Sequence, residues 1–108
     1  MNRKGDIMEC ILKFEEKVAT ISVFGIITSE NAYLFQEKLD EVKNSDVTKL
    51  ELDLSECQTI TSIGIGKLLL FYKDFNAKKY EVEIVKCSLP VYELFMTIKL
   101  NQLISISL

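Results

Sequence analysis

Apolar residues recur along this chain with two different spacings, and the switches between them predict its elements. Met8, Cys10, Leu12 and Phe14 alternate with Glu9, Ile11 and Lys13, the two-residue period of a strand with one buried face. Glu15-Glu16-Lys17 makes a polar turn, and a β-rich run over residues 18–24 forms the second arm of a hairpin. Gly25 is expected to close that arm. Ser29 then serves as the expected cap of a helix reaching about Lys43, because its side chain can accept from free backbone N–H groups. Ala32, Phe35, Leu39 and Val42 recur there at steps of three and four. Leu50, Leu52 and Leu54 alternate with Glu51 and Asp53 in a third strand, and residues 55–61 read as a loop. Ser62 stands where the second helix begins. Over residues 63–75 that helix is apolar around much of its circumference, so burial on most sides is expected.

Tyr80, Val82 and Ile84 alternate with Glu81 and Glu83 in a fourth strand. Ser88, with Pro90 in the first turn, opens a third helix carrying Val91, Leu94, Phe95 and Ile98 on one face. Ile104, Ile106 and Leu108, separated by serines, suit a short final strand. The order β-β-α-β-α-β-α implies an α/β fold in which parallel strands follow an antiparallel hairpin. Acidic residues alternate with leucine and valine in the middle strands, whereas a sheet covered on both faces has nearly unbroken apolar strands. The expected architecture is therefore a mixed four- to five-stranded sheet with helices mainly on one face. It occupies one domain over residues 1–108, with a core of about residues 8–106.

Composition narrows the function. Nearly half of the 108 residues are apolar, enough for one continuous core, and the formal charge is only −3. Arg3, Lys4, Lys38, Lys49, Lys67, Lys78 and Lys79 are dispersed, whereas phosphate backbones are bound by clustered cations. Nucleic acid is not an expected partner. The apolar run over residues 63–71 is broken by Gly64, Gly66 and Lys67 and falls well short of the ~20 residues that span a bilayer. Membrane insertion is likewise not expected. Residues 1–6 carry basic groups with no apolar signal-peptide core behind them, which points to the cytoplasm. Cys10, Cys57 and Cys87 are an odd set without zinc-site spacing, and read as reduced, core-lining thiols. A redox switch at Cys57 is the sharper alternative. No metal is expected.

Catalytic chemistry is hard to place. The chain has no histidine, the commonest general base. Gly64-Ile65-Gly66-Lys67 resembles part of a phosphate-binding loop, but Thr61 stands at the required first glycine and Leu68 at the required Ser or Thr. Leu69 fills the third glycine of the dinucleotide pattern. The expected role is non-catalytic and without a cofactor. What remains is the hydroxyl-rich run Thr59-Ile60-Thr61-Ser62, leading into a helix with Gly64 and Gly66 in its first turns. Each glycine costs about 1 kcal/mol in a helix interior relative to alanine. Close packing of helix on sheet, with Ser62 a plain N-cap, is one explanation. The other is close approach of a partner with Ser62 as the contact.

Three stretches, in this order and spacing, resemble the STAS family, named for sulfate transporters and anti-sigma factor antagonists. They are Ile21-Ser22-Val23-Phe24-Gly25, Leu50-Glu51-Leu52-Asp53-Leu54-Ser55 and Thr61-Ser62-Ile63-Gly64-Ile65-Gly66. The resemblance implies a STAS-like domain that binds a protein. In bacterial anti-sigma factor antagonists the third stretch typically reads Asp-Ser-Ser/Thr-Gly-Leu-Gly. Its first serine is phosphorylated by a kinase that doubles as the anti-sigma factor. The unphosphorylated form binds that kinase and frees the sigma factor; phosphorylation ends the binding. By this resemblance Ser62 is the phosphorylation site, and Thr28, Thr61, Ser62, Ile63, Gly64, Ile65 and Gly66 contact the partner, an anti-sigma factor/serine kinase. Thr61 stands where the family usually has Asp, Ile63 where it has Ser or Thr, and Ile26 and Thr28 where Glu and Asp are frequent. A less acidic rim implies an alternative without a phospho-switch. In that reading the chain is a scaffold or regulatory subunit of another complex, such as a lipid-exporting ABC transporter or a stress-signalling assembly.

Overall fold

The computed structural model describes residues 8–108. The reading of residues 1–6 as lacking a signal-peptide core lies outside the described residues. Strands β1 (Met8–Glu15) and β2 (Val18–Ile27) form the antiparallel hairpin, with Glu16 in a left-handed turn conformation (φ 54°) between them. Helix α1 (Ala32–Lys43), strand β3 (Lys49–Ile60), helix α2 (Ser62–Ala77), strand β4 (Glu81–Cys87) and helix α3 (Leu89–Thr97) follow. A single 3-10 turn, Leu100–Gln102, leads to β5 (Ser105–Ile106).

The five strands stand in sequence order, β1-β2-β3-β4-β5, with every pair after the hairpin parallel. Strands added one after another by right-handed crossovers keep every connecting helix on the same face. The burial pattern agrees. Ala19, Ile21, Val23 and Ile27 of β2, Leu50, Leu52, Leu54, Cys57 and Ile60 of β3, and Val82, Ile84 and Cys87 of β4 are buried in register on one side. Phe35 and Leu39 from α1, Leu68, Phe71 and Phe75 from α2, and Val91 and Phe95 from α3 close over them. On the opposite face Lys49 reaches Glu83 (3.1 Å), Glu51 (3.4 Å) and Glu81 (3.7 Å), and Asp53 is half-exposed. The expected polar face is present.

Five expectations need correction. Gly25 bends β2 rather than closing it. With φ 103°, a conformation open mainly to glycine, it shifts the β2–β3 register, and the strand continues to Ile27. Residues 55–60, expected as loop, extend β3 because the continued β2 offers a partner: Glu56 pairs with Phe24, Cys57 with Gly25 and Ile60 with Ile27. Their polarity reflects one solvent-facing side, not irregular backbone. Ser29 caps nothing; it is exposed, its hydroxyl lies 3.3 Å from the Glu30 carboxylate, and α1 starts after Asn31. Helix α2 is buried along one stripe only, leaving Ile63 and Leu70 47% and 66% exposed. Ile98 lies past the end of α3 and Leu108 past β5, and both are exposed.

Candidate partner-binding site

Helices α1, α2 and α3 all begin at the carboxyl ends of the parallel strands β2, β3 and β4, the edge at which open α/β sheets place their binding sites. The backbone ties these starts together. Thr61 N–H donates to the carbonyl of Ile27 at 3.0 Å, joining the entrance of α2 to the end of β2. Ser88 N–H donates to the Leu54 carbonyl at 3.2 Å, and Ser88 Oγ donates to the Cys57 carbonyl at 2.6 Å. The loop after β2 is held by Asn31. Its Oδ1 accepts from Thr28 N–H (2.8 Å), its Nδ2 donates to the Ile26 carbonyl (2.9 Å), and its own N–H donates to Thr28 Oγ1 (3.1 Å). Thr28 is thus fixed beside Thr61 with its hydroxyl already engaged. Asn31 was missed in the sequence, where the start of α1 was placed at Ser29, two residues earlier.

Thr61, not Ser62, is the N-cap residue of α2, with extended backbone (φ −79°, ψ 168°). Its side chain makes no capping bond, and its Oγ1 is buried without a partner among the described residues. Ser62 is the first helical residue and is exposed; among the described residues its hydroxyl makes no hydrogen bond. No acidic residue occupies the first turn, so the free N–H groups and the positive end of the helix dipole are uncompensated there. Glu30, exposed on the neighbouring loop, is a carboxylate in this region that the sequence comparison passed over.

The glycines divide. A Cβ on Gly64 would stand 2.8 Å from Ile27 Cγ2 and 2.8 Å from Ile60 Cγ1, so Gly64 is what lets α2 sit against the ends of β2 and β3. A Cβ on Gly66 would meet nothing within 4 Å. Close packing therefore explains Gly64 and leaves Gly66 unexplained. Of the seven candidate contact residues, Gly64 is buried and Ile65 packs against the core. Ser62, Ile63 and Gly66 lie along the outer side of α2, which Lys67 and Leu70 continue. Leu70 was missed; the signal was present in its seven-residue spacing from Ile63, two helical turns along one face. Beside it a cleft of about 310 Å³ runs between α1 and α2, lined by Gln36, Leu39, Lys43, Leu70, Phe71 and Asp74 among others. The Lys43–Asp74 ion pair (2.9 Å) crosses it.

The Cys57 thiol sits in β3 close to this edge, fully buried, and burial pushes its pKa up to about 11. A sensor cysteine needs an exposed thiolate, so the geometry opposes a redox switch there. Among the described residues no helix is long and apolar enough to cross a membrane.

Comparison with known proteins gives one family and a consistent set of folds. The STAS domain model matches residues 9–108. A search of curated protein sequences gives no significant match. Among solved structures, an anti-sigma factor antagonist from Mycobacterium paratuberculosis is similar with a TM-score of 0.84 at 19% identity, covering 94% of this chain and 86% of that one. The anti-sigma factor antagonist SpoIIAA in its unphosphorylated form gives 0.78 at 16% identity, covering 93% and 89%. The Bacillus cell fate determinant SpoIIAA in its phosphorylated form gives 0.73 at 15% identity, covering 93% and 92%. With the match running through all five strands and three helices, the chain belongs to the STAS domain family.

Proposed function

We propose that this chain is a non-catalytic anti-sigma factor antagonist that docks its α2 entrance onto an anti-sigma factor/serine kinase and is released when Ser62 is phosphorylated. The observation that carries the proposal is Ser62 itself: an exposed hydroxyl on the first residue of α2, free of hydrogen bonds among the described residues. A kinase needs such an accessible hydroxyl. The similarity to SpoIIAA, whose structure exists in both phosphorylated and unphosphorylated forms, supports the same reading. Around Ser62 the exposed Ile63 and open Gly66 offer an apolar, closely approachable surface. The partner contacts are Thr28, Thr61, Ser62, Ile63 and Gly66, with Gly64 and Ile65 acting from beneath as packing.

The second reading, a scaffold subunit without a phospho-switch, is favoured by the residues around Ser62. Ile26, Thr28, Thr61 and Ile63 are neutral, and rim charges steer association and select partners. Pull-down from the native cell with mass spectrometry separates the two. Co-purification with a histidine-kinase-like ATPase that labels Ser62 supports the switch. Co-purification with a membrane transporter, or labelling mapped to Thr59 or Thr61, contradicts it.

A further inference from the structure

Strand β1 is an eight-residue edge whose one neighbour among the described residues is β2. A strand of that length presents a row of unpaired N–H and C=O groups, and natural edges are normally shortened, bulged or charged against pairing. The other edge, β5, is two residues long. β1 pairs regularly with β2 and is protected only by its exposed charges, Glu9, Lys13 and Glu15, of which Glu9 and Lys13 are arranged symmetrically about Ile11. Both are exposed and make no ion pair among the described residues.

We infer that the chain self-associates through β1, pairing antiparallel with β1 of a second copy about a two-fold axis at Ile11. In that register Glu9 stands opposite the second copy's Lys13, and Lys13 opposite its Glu9. Ile11 meets its own counterpart on the uncovered face of the sheet. On the helix-covered face Cys10 meets Leu12 and Met8 meets Phe14, so apolar groups match apolar groups. Ile11, 38% exposed, and Phe14, 50% exposed, gain the neighbours they lack in the single chain. Neighbouring registers that keep the same faces aligned are worse; centring on Cys10 sets Glu9 against Ile11 and loses the Glu9–Lys13 pairs. Centring on Leu12 sets Glu9 against Glu15, and centring on Lys13 sets lysine against lysine. The charges that block indiscriminate pairing become complementary in one arrangement, which joins the two five-stranded sheets into one. The interface is isologous, as a closed two-fold dimer requires.

Opposite charges directly across a strand pair favour pairing, and like charges oppose it. The two-fold axis doubles the effect. Sedimentation equilibrium over roughly 1 μM to 1 mM, the range in which small interfaces dissociate, tests the inference with wild type, Glu9→Lys and Lys13→Glu. Both positions are exposed, and thermal melts check that each variant is folded. Wild type should pass from monomer to dimer as concentration rises. Each variant alone faces itself with like charges and should dimerise about tenfold more weakly. An equimolar mixture of the two variants restores both complementary pairs and should recover the wild-type association. A wild type monomeric throughout, variants that dimerise as wild type does, or a mixture no more associated than its components would each overturn the dimer.

Discussion

Gly64 and Gly66 lie two residues apart on α2 and answer to different constraints. Alanine at 64 pushes a methyl group to 2.8 Å from two buried isoleucines, Ile27 and Ile60. Both neighbours are β-branched and enclosed, so the clash is relieved by moving the helix, and overpacking of this kind costs about 1–3 kcal/mol. Alanine at 66 enters open space and should stabilise the helix by about 0.5–1 kcal/mol. Urea denaturation of Gly64→Ala and Gly66→Ala checks both signs. A Gly66→Ala chain that is more stable yet binds its partner more weakly marks Gly66 as a contact position; unchanged binding removes it from the interface. In the sequence the two glycines look alike, because the residues that distinguish them, Ile27 and Ile60, come from separate strands. Ser62 was legible as the start of α2, but the cap role belongs to Thr61.

Elements with a strong period were legible, and the errors fell where a period met its neighbour. Leu50, Leu52 and Leu54 announced β3, and Ala32, Phe35, Leu39 and Val42 announced α1, because burial on one side is a local pattern. The extension of β3 to Ile60 was not visible, since it depends on β2 continuing past Gly25. The spacing of Ile63 and Leu70 places them on one face, but that this face points outward was not readable, because no sequence pattern says which side of an apolar helix lacks a neighbour. The strands carry the three cysteines, Cys10 on β1, Cys57 on β3 and Cys87 on β4, all free thiols. Burial is the main cause that pushes Cys10 and Cys57 from an ordinary 9.0 up to about 11. The unfolded chain therefore loses these protons first as pH rises. The associated stability is full below pH 9.0 and is lost progressively towards about 11. Urea midpoints measured across that interval should fall, and fall less in Cys57→Val. Alkylation at neutral pH should be slow in the native protein and reach all three thiols after denaturation. Rapid native labelling of Cys57, or a midpoint that stays level, contradicts this placement.

For the whole molecule, the switch depends on how the charge of a phosphate acts in two settings. Phosphorylation adds about −1.5 to −2 charges at neutral pH. On the free chain that charge falls at the exposed start of α2, whose first turn holds no acidic residue. Helix dipole and open N–H groups favour it by about 0.3–1 kcal/mol, so the fold should persist. In a docked complex the same group must leave water, at several kcal/mol unless it is paired. The second effect is larger and opposite in sign, which makes phosphorylation a release signal rather than an unfolding one. The most direct test is calorimetric titration of the anti-sigma factor/kinase partner with wild type, Ser62→Ala and Ser62→Asp, alongside their melting temperatures. Wild type and Ser62→Ala should bind alike, and Ser62→Asp should melt within a few degrees of wild type while binding at least ~10-fold more weakly. Binding by Ser62→Asp as tight as that of wild type would contradict the account.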